Sequence, residues 1–240
     1  MCGIFGFTGY KEDHLVKARA SLNVLKHRGP DQWNDFIDQN LYIGHQRLSI
    51  IDLSEHGKQP MISPDKKVII SVNGEIYNYL SLKKELEKKY TFQSTSDSEV
   101  VLYAYIEWGV DSLVERIDGM YAISLYDKNS DELYLVRDRV GIKPIYYSTL
   151  NQQFSWASEL KAIEKFYENM GILSYDVTAL YDFLTYRFIP TPKTQYKNVY
   201  KLEPGHYLKI DTTTNQFKKV QYWCLEIKNC NDDVETENKK

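Results

Sequence analysis

The chain has 240 residues, 42% hydrophobic and 26% charged, with twelve glycines and seven prolines, so it can bury a sizeable core and is neither disordered nor collagen-like in composition. Thirty Lys and Arg against 33 Asp and Glu leave a net charge of −3, which offers no electrostatic footprint for nucleic acid or an anionic membrane. There is no membrane-length apolar run and no basic leader, and Cys2, Cys224 and Cys230 are too irregular for a disulfide framework or a four-cysteine zinc site; a cytoplasmic chain is expected.

Residues 4–7 read as a first strand. Leu15, Ala18, Leu22 and Leu25 then recur at steps of three and four, which predicts a helix over 12–25. His27-Arg28-Gly29-Pro30-Asp31 ends it, because Gly and Pro break helices. Short strands are expected over 33–38, 41–45 and 68–72, the last followed by Asn73-Gly74, a pair that tolerates the positive φ of a tight turn. Leu82, Leu86 and Tyr90 give a second helix over 78–90. Ser96-x-x-Glu99 has the form of a capping box and predicts a third from Asp97 to about Trp108. Polar turns separate β-like runs at 121–127, 132–138, 145–147 and 154–157, an antiparallel meander. An amphipathic segment over 177–188 stops before Pro190, and hairpin-like runs follow at 198–202, 206–210 and 217–225. Residues 228–240 almost lack apolar side chains and read as a linker or disordered end. Parallel helix-strand alternation is missing, so the fold class is α+β, antiparallel sheets covered by a few helices.

Cys2 is the first candidate for chemistry. Removal of the methionine before it would leave a thiol and a free α-amine on one residue. An α-amine titrates near ~7.7–8.0 and a thiol near ~8.5, so the amine can take the thiol proton at neutral pH. Cysteine also falls at position two by chance. Gly3, Gly6 and Gly9 imitate a nucleotide fingerprint, yet no strand precedes them, and tight packing around the nucleophile is their expected use. His14, His56 and His206 lack partners at ligand spacing, and no H-E-x-x-H, C-x-x-C or P-loop pattern occurs; no metal is assigned.

Cys2-Gly3-Ile4-Phe5-Gly6 resembles the opening of the class II, N-terminal-nucleophile glutamine amidotransferases. From Cys2 to about Trp223 the chain is most similar to the glutaminase half of glutamine-hydrolysing asparagine synthetases. The segments that carry the likeness, in order, are H-R-G-P-D from His27, R-L-S-I-I-D from Arg47, N-G-E-I-Y-N-Y from Asn73, S-D-S-E from Ser96, D-G-M-Y-A from Asp118, R-D-R-V-G-I-K-P-I-Y-Y from Arg137 and A-S-E-L-K-A from Ala157.

The resemblance implies a four-layer αββα sandwich of two antiparallel sheets and a glutaminase that passes through a Cys2 thioester. It also implies roles. Asn73 and Gly74 would form the oxyanion hole, although Asn-Gly is equally a hairpin turn. Arg47 would clamp the α-carboxylate of L-glutamine, and Asp97 with Glu75 would take its ammonium, although an acid on a first helical turn also suits the helix dipole. Leu48, Ser49, Ile50 and Ile51 would line the pocket. Arg28, Asp31, Asp138 and Arg139 lie in matching segments, where loop-holding ion pairs compete with catalysis as their use.

The reaction so implied needs no cofactor. ATP and Mg²⁺ belong to a synthetase domain whose Ser-Gly-Gly-x-Asp-Ser loop this sequence lacks. The expected organisation is therefore a glutaminase domain over 1–226 and a polar tail over 227–240 toward that domain, joined in cis or carried by a partner subunit. The ammonia acceptor could be a carboxylate other than aspartate. A glutamine-binding sensor or scaffold without turnover is the competing reading.

Overall fold

The computed structural model describes residues 1–226; the polar tail over 227–240, with Cys230, lies outside the described residues. In chain order the elements begin β1 (Gly3–Thr8), α1 (Leu15–Asn23), β2 (Gln32–Asp38), β3 (Leu41–Arg47), β4 (Met61–Ile62) and β5 (Val68–Ile76). There follow α2 (Tyr79–Leu86), α3 (Asp97–Arg116), β6 (Gly119–Asp127), β7 (Glu132–Arg137), β8 (Tyr146–Ser148) and β9 (Ser155–Ala157). The described part closes with α4 (Leu160–Tyr167), α5 (Val177–Tyr186), β10 (Val199–Lys201), β11 (His206–Asp211) and β12 (Phe217–Gln221).

The strands form two six-stranded sheets, ordered β10-β8-β9-β1-β3-β2 and β12-β11-β7-β6-β5-β4, and every pairing is antiparallel. Side chains alternate between strand faces, and the strands read accordingly. Phe5, Phe7 and Tyr42 point outward to Leu22 of α1 and Phe166 of α4. Ile4, Ile43, Ile69, Leu133 and Leu135 fill the space between the sheets. Ile70, Val72, Ile123 and Val136 face α2 and α3. Three apolar layers thus separate four structural ones, the αββα sandwich the resemblance implies.

Several expectations need correction. Helix α1 starts at Leu15, because Glu12–His14 forms a 3₁₀ turn, and it ends at Asn23. β5 does not stop at a hairpin after Val72. It runs through Asn73-Gly74, which pair with Ala122 and Tyr121 of β6, so sheet pairing overrides the local turn preference. A Cβ on Gly74 would stand 2.1 Å from Met120 O, so glycine here serves close approach of two strands. Helix α3 continues past Trp108 to Arg116 across a break at Gly109, whose φ is 73°. The capping box is only half formed: Ser96 Oγ accepts from Ser98 N–H. The Glu99 carboxylate instead takes the N–H groups of Gln93 and Ser94 and the Ser94 hydroxyl. Helix α4 and the two-residue β4 are additions, and β12 ends at Gln221. Helix α5 buries Ala179 alone and leaves Leu180, Tyr181, Phe183 and Leu184 exposed.

Candidate active site

The N-terminal end of β1, the C-terminal end of β3, the loop after it, the middle of β5 and the first turn of α3 meet at one cleft of about 590 Å³, counted out to open solvent. Cys2, Arg47, Leu48, Ile50, Ile51, Asn73, Gly74, Glu75 and Asp97 all line it. Ser49 does not: its N–H donates to Asp31 Oδ2 at 2.8 Å, which ties the loop down from outside. Met1, Asp52, Gly57, Gln59, Val72, Ser96, Ser98 and Lys143 complete the lining; the sequence reading did not single these out as site residues.

Cys2 is held by its backbone. Arg28 Nε donates to Cys2 O at 2.9 Å, while Arg28 Nη1 meets Glu159 at 2.7 Å. The thiol sits against Leu48, whose N–H points at Sγ from 3.4 Å. Burial pushes the Cys2 thiol up, against the opposing pull of Leu48 and of the charges on the N-terminus, Arg47 and Arg28. A thiol so placed needs a base to become a nucleophile. The α-amine belongs to Met1, which itself lines the cleft and is 55% exposed.

Asn73 is fully buried, and neither its side-chain nitrogen nor its oxygen has a hydrogen-bond partner. Burying an amide without partners is unfavourable by about 1–3 kcal/mol, so this carboxamide fits a ligand better than the protein. Arg47 is also buried, and its guanidinium donates to the carbonyls of Asp52 and Ser54 and to Gln32 Oε1. No carboxylate lies within ion-pair reach of it among the described residues. It is a fixed planar cation in want of an anion. Gly57 makes this placement possible, since a Cβ there would lie 2.1 Å from Arg47 Nη2.

Asp97 Oδ2 accepts Ile76 N–H at 2.8 Å. Burial pushes its carboxyl up, and the neighbouring Glu75 charge adds to the rise. A ligand ammonium would relieve both penalties. Gln59 is structural, its amide bridging Val72 N–H and C=O at 2.6 and 3.2 Å. Asp138 forms no loop-holding ion pair among the described residues; its carboxylate accepts the N–H groups of Ile142 and Lys143. No cluster of three or more His, Cys, Asp or Glu side chains is arranged to hold a metal among the described residues, and no helix there is long and apolar enough to cross a membrane.

The family model described as a glutamine amidotransferase domain matches residues 1–223. Among curated proteins, asparagine synthetase [glutamine-hydrolyzing] 1 of Bacillus subtilis is 39% identical over 92% of the chain and 36% of its own length. Asparagine synthetase [glutamine-hydrolyzing] 2 of the same organism is 35% identical over 94% and 31% respectively. The chain therefore spans about a third of the length of these relatives. Among solved structures, the glutamine phosphoribosylpyrophosphate amidotransferase of B. subtilis superposes with a TM-score of 0.69, at 20% identity, over 92% of this chain and 49% of that one, a likeness of fold. By its sequence match along nearly the whole described length, the chain belongs to the class II glutamine amidotransferase family.

Proposed function

We propose that this chain hydrolyses L-glutamine to glutamate and ammonia through a thioester on Cys2. One observation carries the reading: a cysteine thiol and a buried, partnerless carboxamide, Asn73, share a cleft with a cation that has no counter-ion among the described residues, Arg47, and a buried acid, Asp97. Glutamine supplies what each lacks. Its α-carboxylate answers Arg47, its ammonium answers Asp97 with Glu75, and its amide carbonyl lies toward Cys2 and Asn73.

Once Met1 is removed, the Cys2 amine takes the thiol proton as Sγ attacks the amide carbon. The Asn73 side-chain N–H and the Gly74 backbone N–H donate to the tetrahedral oxyanion. The same amine returns its proton to the leaving nitrogen, ammonia departs, and water then cleaves the γ-glutamyl thioester to glutamate and free thiol. This sequence of steps calls on no cofactor. The names of the relatives and their greater length support delivery of the ammonia to a synthetase unit, in cis or as a partner subunit, which would make asparagine from aspartate with ATP and Mg²⁺. Cysteine usage supports a cytoplasmic setting.

The test is glutamate release by protein whose intact mass shows Met1 gone, beside Cys2→Ala. Turnover lost in Cys2→Ala is the expected result. Processed protein that binds glutamine and releases no glutamate would leave a sensor or scaffold in place of an enzyme.

A further inference from the structure

The bend after β7 holds two charged side chains that face only backbone. Arg137 donates through Nε to Lys143 O at 3.0 Å, through Nη2 to Gly141 O at 2.8 Å and through Nη1 to Leu202 O at the short end of the range. Asp138, fully buried, accepts the N–H groups of Ile142 and Lys143, each at 2.8 Å. Neither side chain enters an ion pair among the described residues. Together they fix the path of residues 139–143. Val140 and Ile142 emerge into solvent, 64% and 54% exposed, while Lys143 goes the other way, 5% exposed, into the cleft that holds Cys2 and Asn73.

The register shows from which side Lys143 arrives. Asn73 of β5 pairs with Ala122 of β6, and Ala122 pairs with Arg137 of β7. A single row of residues, with only a methyl group at its centre, therefore leads from the orphaned carboxamide to the start of the Lys143 loop. Arg47 enters from the opposite sheet, on β3. The two cations thus come to the cleft from different walls.

Lys143 makes polar contacts through its backbone, and its ammonium enters no hydrogen bond or ion pair among the described residues. A cation that lines a cleft without a partner there can meet an anion bound in that cleft. On the reading given above, the two charges of glutamine are already met by Arg47 and by Asp97 with Glu75. The negative charge left to answer is the one that appears during turnover on the amide oxygen. We propose that Lys143 is a further catalytic cation of this site: its ammonium stabilises the oxyanion of the tetrahedral intermediates beside Asn73, and then holds the γ-carboxylate of product glutamate. In this role Lys143 acts through its charge and transfers no proton. This inference rests on the glutaminase reading and deepens it.

The experiment has two arms. In processed protein, Lys143→Met is expected to lower kcat about tenfold or more, in line with other lost oxyanion donors, with KM for glutamine within about threefold; Lys143→Arg should restore most of the rate. In a Cys2→Ala background, calorimetry with Lys143→Met should show glutamate binding weakened about tenfold and glutamine binding within about threefold. Unchanged kcat, or equal weakening of both ligands, would overturn the proposal. If Lys143→Met fails to fold, Lys143→Gln is carried through both arms and judged by the same results. Absence of turnover in the processed wild type would instead strike the glutaminase reading, while the glutamate-against-glutamine comparison in the Cys2→Ala background would still decide whether Lys143 reads a γ-carboxylate.

Discussion

Asn73 sits in mid-strand, fully buried, with both ends of its amide unpartnered. Packing alone would favour an apolar residue there. Asn73→Ala removes the proposed oxyanion donor and the unsatisfied group together, and those two effects act on different measurements. It is expected to lower kcat for glutamine by about 10²–10³ while urea unfolding shifts stability by no more than about 1 kcal/mol. An unfolded variant would mean that the amide holds the sheet, and a fully active one would remove it from the chemistry. Cys2, Arg47, Asn73 and Asp97 were singled out in the sequence through the resemblance of the short segments that hold them, and the fold brings all four to one cleft. Lys143 was not legible as a site residue. Seventy positions separate it from Asn73, and what joins them is the strand row through Ala122 and the grip of Arg137 and Asp138 on one bend.

The segment from Leu48 to Gly57 shows how an element presents a side chain. Its carbonyls at Asp52 and Ser54 hold the Arg47 guanidinium, and Asp52 in turn ties the segment to the approach to α3 by accepting Thr95 N–H at 2.8 Å. Gly57→Ala would place a methyl group 2.1 Å from Arg47 Nη2. The far end of that side chain can move, so the protein should fold, but the cation should be displaced from its carbonyl cradle. KM for glutamine is expected to rise about tenfold with kcat held within about threefold, since a displaced clamp weakens ground-state and transition-state binding alike. Steady-state kinetics beside wild type would show it, and a fall in kcat alone would count against Arg47 as the carboxylate clamp. Period-two and period-3.6 patterns located most elements, but their ends depended on partners remote in sequence. β5 runs on through Asn73-Gly74 because β6 pairs with it. Helix α3 resumes beyond Gly109 because Leu113 and Val114 find the same core as Val100 and Val101. Strand β4 has two residues, too few for any alternation to register.

At the scale of the molecule the two sheets are joined by apolar contact and, in its midst, by a fully buried polar link, His45 Nδ1 of β3 to Ser71 Oγ of β5 at 2.7 Å. Nε2 of the same ring is buried without a partner. Burial, with the Arg47 charge nearby, pushes His45 from 6.5 down to about 3. The ring is therefore neutral in the folded protein while it takes up a proton in the unfolded chain below about pH 6.5. The unfolded state binds more protons throughout that interval, so this residue makes stability rise with pH and fall as pH drops from about 6.5 toward about 3. Two acids act lower down. Hydrogen bonds from Ser54 and Thr95 outweigh burial at Asp52, those from Arg28, Lys161 and His27 outweigh it at Glu159, and both carboxyls are held at about 2. Their contribution is present above their ordinary values of 3.8 and 4.5 and is lost below them. The upper part of the acid limb, between about pH 6.5 and 4.5, is thus the range in which His45 dominates, with a slope of up to about 1.4 kcal/mol per pH unit. His45→Asn keeps a short polar group facing Ser71 and removes the titration. Urea midpoints followed from neutral pH downward should fall more steeply for wild type than for the variant in that range, and the two slopes should converge only as pH nears about 3. Parallel curves would show that protonation of the link between the sheets is not what begins acid unfolding.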